Sequence, residues 1–142
     1  MKLQPVQFTV FVIWSSLIMG LVTLAFVVNV QDGTRAEHSM ASIFALVAGV
    51  NAALSFVARH WMLRGFRQGT LTIDTPEGRG AYITGNVVVF ALSESIGVLG
   101  FVNGINSRGE TDAWLPFIGG AILLLLIHIP LPSRFQPQSV RI

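Results

Sequence analysis

The chain has 142 residues, of which 52% are hydrophobic and 11% charged, with a formal net charge of +2 and no cysteine. Soluble domains carry about a quarter charged residues, so this composition points to a single integral membrane domain over residues 1–142, with the lipid bilayer as its first partner. The basic residues are scattered and leave no nucleic-acid footprint, and the lack of cysteine excludes a disulfide framework, a thiol nucleophile and a thiolate metal site.

In chain order, residues 6–30 form an apolar run of about 25 residues, enough to cross a hydrocarbon core of about 30 Å. The run is longer than the apolar region of a secretory signal and ends in Asn29-Val30-Gln31-Asp32-Gly33 without a small-x-small cleavage pattern. It is expected to stay attached as the first span. Asp32-Gly33 reads as a turn and Ser39 as the N-cap of a second span over residues 40–63. Within that span Ser42, Ala45, Gly49, Ala52 and Ala53 recur broadly every three or four residues, a pattern that lets a neighbouring helix come close in lipid.

Residues 64–80 are the longest polar stretch. There Thr70-Leu71-Thr72-Ile73 alternates as a strand does and Asp74-Thr75-Pro76-Glu77-Gly78 reads as a turn, which predicts a short extramembrane hairpin. A third span is expected over 81–104, a polar loop over 106–112, and a fourth span over 114–129 that gives way at Pro130 and Pro132. The expected fold is therefore all-α, a four-helix transmembrane bundle. Lys2, Arg59, Arg64, Arg67, Arg79, Arg134 and Arg141 fall on one side of it, and Arg35 and Arg108 on the other. Basic loops stay in the cytoplasm, which puts both termini and the central loop inside, with Trp61 and Tyr82 near the inner interface and Trp114 near the outer one.

One acid, Glu94, interrupts the third apolar run. An ionisable group inside a span is costly and is read first as a site with a partner. Asn86, Ser93, Gly97, Gly100 and Gly104 share a narrow stripe at about 100° per residue, a helix-packing face in which Gly100 and Gly104 form a GxxxG pair. Glu94 projects about 100° round from Ser93, at the border of that stripe beside Phe90, Ala91, Val98 and Phe101. Counted inward from the cytoplasmic ends, Asn51 lies about 18 Å deep and Glu94 about 20 Å deep. An amide or hydroxyl can hold a carboxyl in either protonation state, so Asn51, Ser55, Ser93 and Ser95 are its candidate partners. Three readings stay open: glue between helices, exchange of a proton or cation, and an acid facing a partner protein.

Ala91-Leu92-Ser93-Glu94-Ser95 followed by Leu99-Gly100-Phe101-Val102 resembles the carboxylate-bearing helix of the proteolipid ring subunits of rotary ATP synthases. The second and third spans, joined by a loop containing Arg67-Gln68-Gly69, are similar in orientation to that family's hairpin. The resemblance implies a proton- or sodium-exchanging Glu94, with Asn51 and Ser93 or Ser95 helping to coordinate. Its loop, from Arg64 to Gly80, is longer than the family's, and its second span has Gly49 among alanines instead of a glycine repeat. The overall layout is similar to small four-span bacterial membrane proteins of unassigned function, with an Ala-Leu-x-Glu helix and a leucine run closed by a His and a proline. That likeness implies a bacterial inner (cytoplasmic) membrane.

The remaining polar residues assemble no catalytic centre on paper. His38, His60 and His128 have no paired spacing or adjacent carboxylates that would make a metal site, and read as interfacial histidines with their polar tips in water. Ser15, Ser16 and Trp14 read as packing and backbone hydrogen bonding, because no histidine base lies at their depth. The expected protein is non-enzymatic and cofactor-free, a packing or assembly component that associates with itself or with other membrane subunits. The alternative is a proteolipid-like component that handles protons or cations through Glu94.

Overall fold

The computed structural model describes residues 4–30, 41–107 and 109–130, except for the side chain of Ala41. Lys2, the Asp32-Gly33 turn, Arg35, His38, the Ser39 cap, Arg108, Pro132, Arg134 and Arg141 lie outside the described residues. The elements are α1 (Pro5–Asn29), α2 (Ala41–Met62), α3 (Arg64–Arg67), α4 (Pro76–Asn106) and α5 (Thr111–Ile127). Three helices, α1, α2 and α4, are long and apolar enough to cross a membrane, and α5 is a shorter apolar helix.

Helix starts follow local chemistry. In α1, Pro5 occupies the first turn, where its missing N–H costs nothing, and the Gln4 N–H donates to Gln7 Oε1 at 3.0 Å in a capping box. Helix α4 begins at Pro76, five residues ahead of the expected Ala81, because Thr75 Oγ1 accepts from the Gly78 N–H at 3.1 Å and Pro76 is preset for a first turn. At 31 residues, about 46 Å, it exceeds the hydrocarbon thickness of about 30 Å.

The expected hairpin does not form: no strand occurs among the described residues, and 70–75 is turn and irregular backbone. Alternation makes a strand only where a second strand supplies hydrogen bonds, and here the backbone finds other partners. The Thr70 and Leu71 N–H groups both donate to the Gly65 carbonyl, at 3.0 and 3.2 Å. Arg79 donates to the Ile73 and Asp74 carbonyls, at 3.2 and 2.9 Å. Gly69, at φ 70°, makes the left-handed turn out of α3 that glycine adopts without steric cost. Gln4 Nε2 donates to Asp74 Oδ1 at 3.0 Å, pinning the loop to the start of α1.

Helix α4 is the element that α1, α2 and α5 all pack against. Its glycine stripe is filled from within the chain: Gly97 faces Leu21 and Ala121, Gly100 faces Phe117 and Ile118, and Gly104 faces Val28 and Trp114. Along these contacts residue numbers rise together on α1 and α4 and fall on α5, so α1 runs parallel to α4 and α5 antiparallel. Contacts of Ser95 with Asn51 and of Gly85 with Leu63 make α2 antiparallel as well. Trp14 Nε1 donates to the Leu125 carbonyl at 2.7 Å and ties α1 to α5.

Leu21, Leu63, Tyr82, Phe90, Ile118 and Leu125 are fully buried, while large apolar side chains such as Phe26, Leu46, Trp61 and Leu123 face outward. Of the three aromatics expected near the interfaces, Tyr82 and Trp114 are buried within the chain. Tyr82 stacks edge-on against Phe66 at 5.8 Å, and Trp114 is buried with Nε1 donating to the Gly109 carbonyl at 3.3 Å. Only Trp61 of that set is exposed.

Candidate functional site

Glu94 follows from the geometry of α4. Ser93, Gly97 and Gly100 are buried, with Gly97 against α1 and α5 and Gly100 against α5, and a residue one step on from Ser93 is turned by about 100°. That step brings the Glu94 side chain, half-buried, to the α2 side. With Val47, Asn51, Ala91, Ser95, Val98 and Leu99 it lines an open-sided groove of about 420 Å³ between α2 and α4.

Matched depth does bring Asn51 and Glu94 to the same place, but the expected bond between them is not made. Asn51 Nδ2 donates to Ser95 Oγ at 2.9 Å, and Ser95 Oγ donates to the Leu92 carbonyl at 2.8 Å. The interhelical polar bond is therefore Asn51–Ser95, and the Glu94 carboxyl has no hydrogen-bond partner among the described residues. Ser93 is buried and donates back to the Val89 carbonyl at 2.9 Å, as hydroxyls in helices do when no side-chain partner is nearer. Of the predicted packing glycines, Gly97, Gly100 and Gly104 are consumed inside the chain, whereas Gly49 has open space above it.

Ser55 belongs to a second cluster that sequence reasoning missed. It is fully buried, and its Oγ lies 3.2 Å from His128 Nε2. Arg59 Nη1 lies 2.7 Å from His128 Nδ1 and 3.4 Å from the Ile127 carbonyl, and the Phe56 ring meets the imidazole edge-on at 4.9 Å. An arginine only donates, so Nδ1 presents its lone pair and the imidazole proton is on Nε2. His128 Nε2 then donates to Ser55 Oγ, which donates to the Ala52 carbonyl at 2.7 Å. His128 is 1% exposed, so the expected interfacial histidine with its tip in water is corrected to a buried one.

This arrangement is a clasp between α2 and the end of α5. A serine nucleophile needs a base whose cationic form is stabilised. Here a guanidinium occupies the position where a carboxylate would orient the ring, and the hydroxyl proton is committed to a backbone carbonyl. The signal in the sequence was Ser55 and Arg59 at i and i+4 on one helix face, aimed at whatever closes the final leucine run.

Comparison with protein-family models, with curated proteins and with solved structures finds no match to this chain.

Proposed function

We propose that the chain is a four-span membrane protein with its termini and central loop in the cytoplasm, and that it is a non-enzymatic assembly component that self-associates through α2 in a membrane complex. The observation that carries this reading is the line Ala45, Gly49 and Ala53. These residues are exposed along one side of α2 with nothing within 4 Å of the position a Gly49 side chain would occupy. Small residues four apart on an uncovered membrane helix allow a second backbone to approach closely. The corresponding line on α4 is already occupied by α1 and α5. Glycine-to-leucine substitution at Gly49 is the test: in mild detergent the native chain migrates as an oligomer and Gly49→Leu as a monomer. A native chain that is monomeric in its own membranes overturns the proposal.

The alternating directions of α1, α2, α4 and α5, together with the basic residues of the central loop, support the topology. With single cysteines, Thr70→Cys is labelled from the cytoplasmic side and Asn106→Cys from the outside. The reverse pattern contradicts the orientation.

A second reading has its own support. Glu94 lies open to a groove with no hydrogen-bond partner among the described residues, which favours an exchangeable carboxyl over interhelical glue. In this reading the chain handles protons or cations, and Glu94→Gln abolishes that exchange while preserving the fold. Full activity of Glu94→Gln excludes it.

A further inference from the structure

The groove between α2 and α4 presents side-chain oxygens to which no other described residue donates. It is lined by the apolar residues Val47, Ala91, Val98 and Leu99 and by the polar residues Asn51, Glu94 and Ser95. Ser95 Oγ is satisfied, since it accepts from Asn51 Nδ2 and donates to the Leu92 carbonyl. That bond commits the amide nitrogen of Asn51 to Ser95 and leaves its oxygen, with the two Glu94 carboxyl oxygens, without a donor among the described residues. No cationic side chain lines the groove.

Size and lining then select the occupant. A carboxylate in a membrane span requires a proton or a cation beside it. A bare metal ion would need six or more oxygen ligands if it were calcium or magnesium, and only Asn51, Glu94 and Ser95 among the lining residues carry side-chain oxygens. The volume of about 420 Å³ falls among small-molecule sites, which run from about 300 to 1,000 Å³. The open side faces outward between two helices, beside exposed Val47 and Val98, so an amphiphile can enter from the lipid.

We infer that the groove binds a monovalent organic ammonium ion: its N–H groups donate to the Glu94 carboxylate and the Asn51 carbonyl oxygen, and its hydrocarbon body lies along Val47, Ala91, Val98 and Leu99. Binding releases the carboxyl proton of Glu94 to water as the ammonium takes its place, so charge is conserved in the groove. The inference rests on the reading of Glu94 as an exchangeable carboxyl and names its ligand class.

Dicyclohexylcarbodiimide, which attacks protonated acids in lipid, reads the site through the intact mass of the full chain in vesicles. Glu94 is labelled, and Glu94→Gln removes that label. Octylammonium at ten times its half-protecting concentration slows the labelling about tenfold by mass action, whereas octanol, with the same body and no charge, and ammonium chloride, with the charge and no body, leave it unchanged. Asn51→Leu keeps the acid and its label but raises the half-protecting concentration about tenfold, the change expected from losing one hydrogen bond to a charged group. Labelling that octylammonium does not slow, or that octanol slows equally, overturns the ammonium site while leaving an exchangeable Glu94 standing. Absence of label at every pH overturns both. Equal protection of native and Asn51→Leu chains overturns the assigned seating of the ammonium group.

Discussion

A single methyl group separates the two kinds of glycine in this chain. A Cβ at Gly100 would lie 2.6 Å from Phe117 Cβ and 3.1 Å from the Ile118 backbone nitrogen, so α5 must move to admit it. A Cβ at Gly119 would meet nothing within 4 Å. Gly100→Ala is therefore expected to destabilise the fold by about 1–3 kcal/mol, and Gly119→Ala to stay within about 0.5 kcal/mol of native, measured by unfolding in mixed micelles. The Arg59–His128 contact is tested by a double-mutant cycle with Arg59→Met and His128→Phe. A coupling of at least about 0.5 kcal/mol is expected for groups in one hydrogen-bond network, and strict additivity contradicts the clasp. At this scale the position of Glu94 was legible, because a 100° step from a glycine stripe fixes which side of α4 it occupies. The partner of Asn51 was not, since depth matching cannot choose between Glu94 and its neighbour Ser95, and a hydroxyl that donates to its own helix is an unstrained acceptor.

At the scale of elements, the long apolar runs over α1, α2 and the middle of α4 announced themselves by length, while the segment between α2 and α4 did not. Thr70-Leu71-Thr72-Ile73 has the alternation of a strand, but with one such segment and no second, the backbone bonds to Gly65 and to Arg79 instead. Its fold depends on the first turn of α4. Thr75 caps that turn, and a Cβ on Gly78 would lie 1.8 Å from the Thr72 carbonyl oxygen. Thr75→Ala is expected to cost about 1 kcal/mol, and Gly78→Ala to push the loop away from the helix. Faster trypsin cleavage after Arg67 and Arg79 in both variants is the expected readout, and unchanged cleavage in Gly78→Ala contradicts the packing. The aromatics near the span ends show the same limit: nearness to a span end does not say whether a ring faces outward or packs within the chain, and Tyr82 is buried against Phe66 of α3.

For the whole molecule, the decisive contrast is between small residues already covered and small residues left open. The α4 stripe is spent on joining α1 and α5, and the Ala45, Gly49 and Ala53 line on α2 faces outward. The sequence displayed both lines and did not rank them, because a small-residue spacing says that a helix can be approached and not by what. The chain contains no cysteine, so a single introduced thiol reports on its own. Disulfide formation requires α-carbons within about 7 Å, a separation that only a closely packed helix pair reaches. The most direct test is oxidation of Gly49→Cys and Gly119→Cys chains in native membranes. Self-association through α2 predicts a covalent dimer from Gly49→Cys and none from Gly119→Cys, whose position is equally open but on α5. A Gly49→Cys chain that stays monomeric, or a dimer formed equally from both positions, contradicts it.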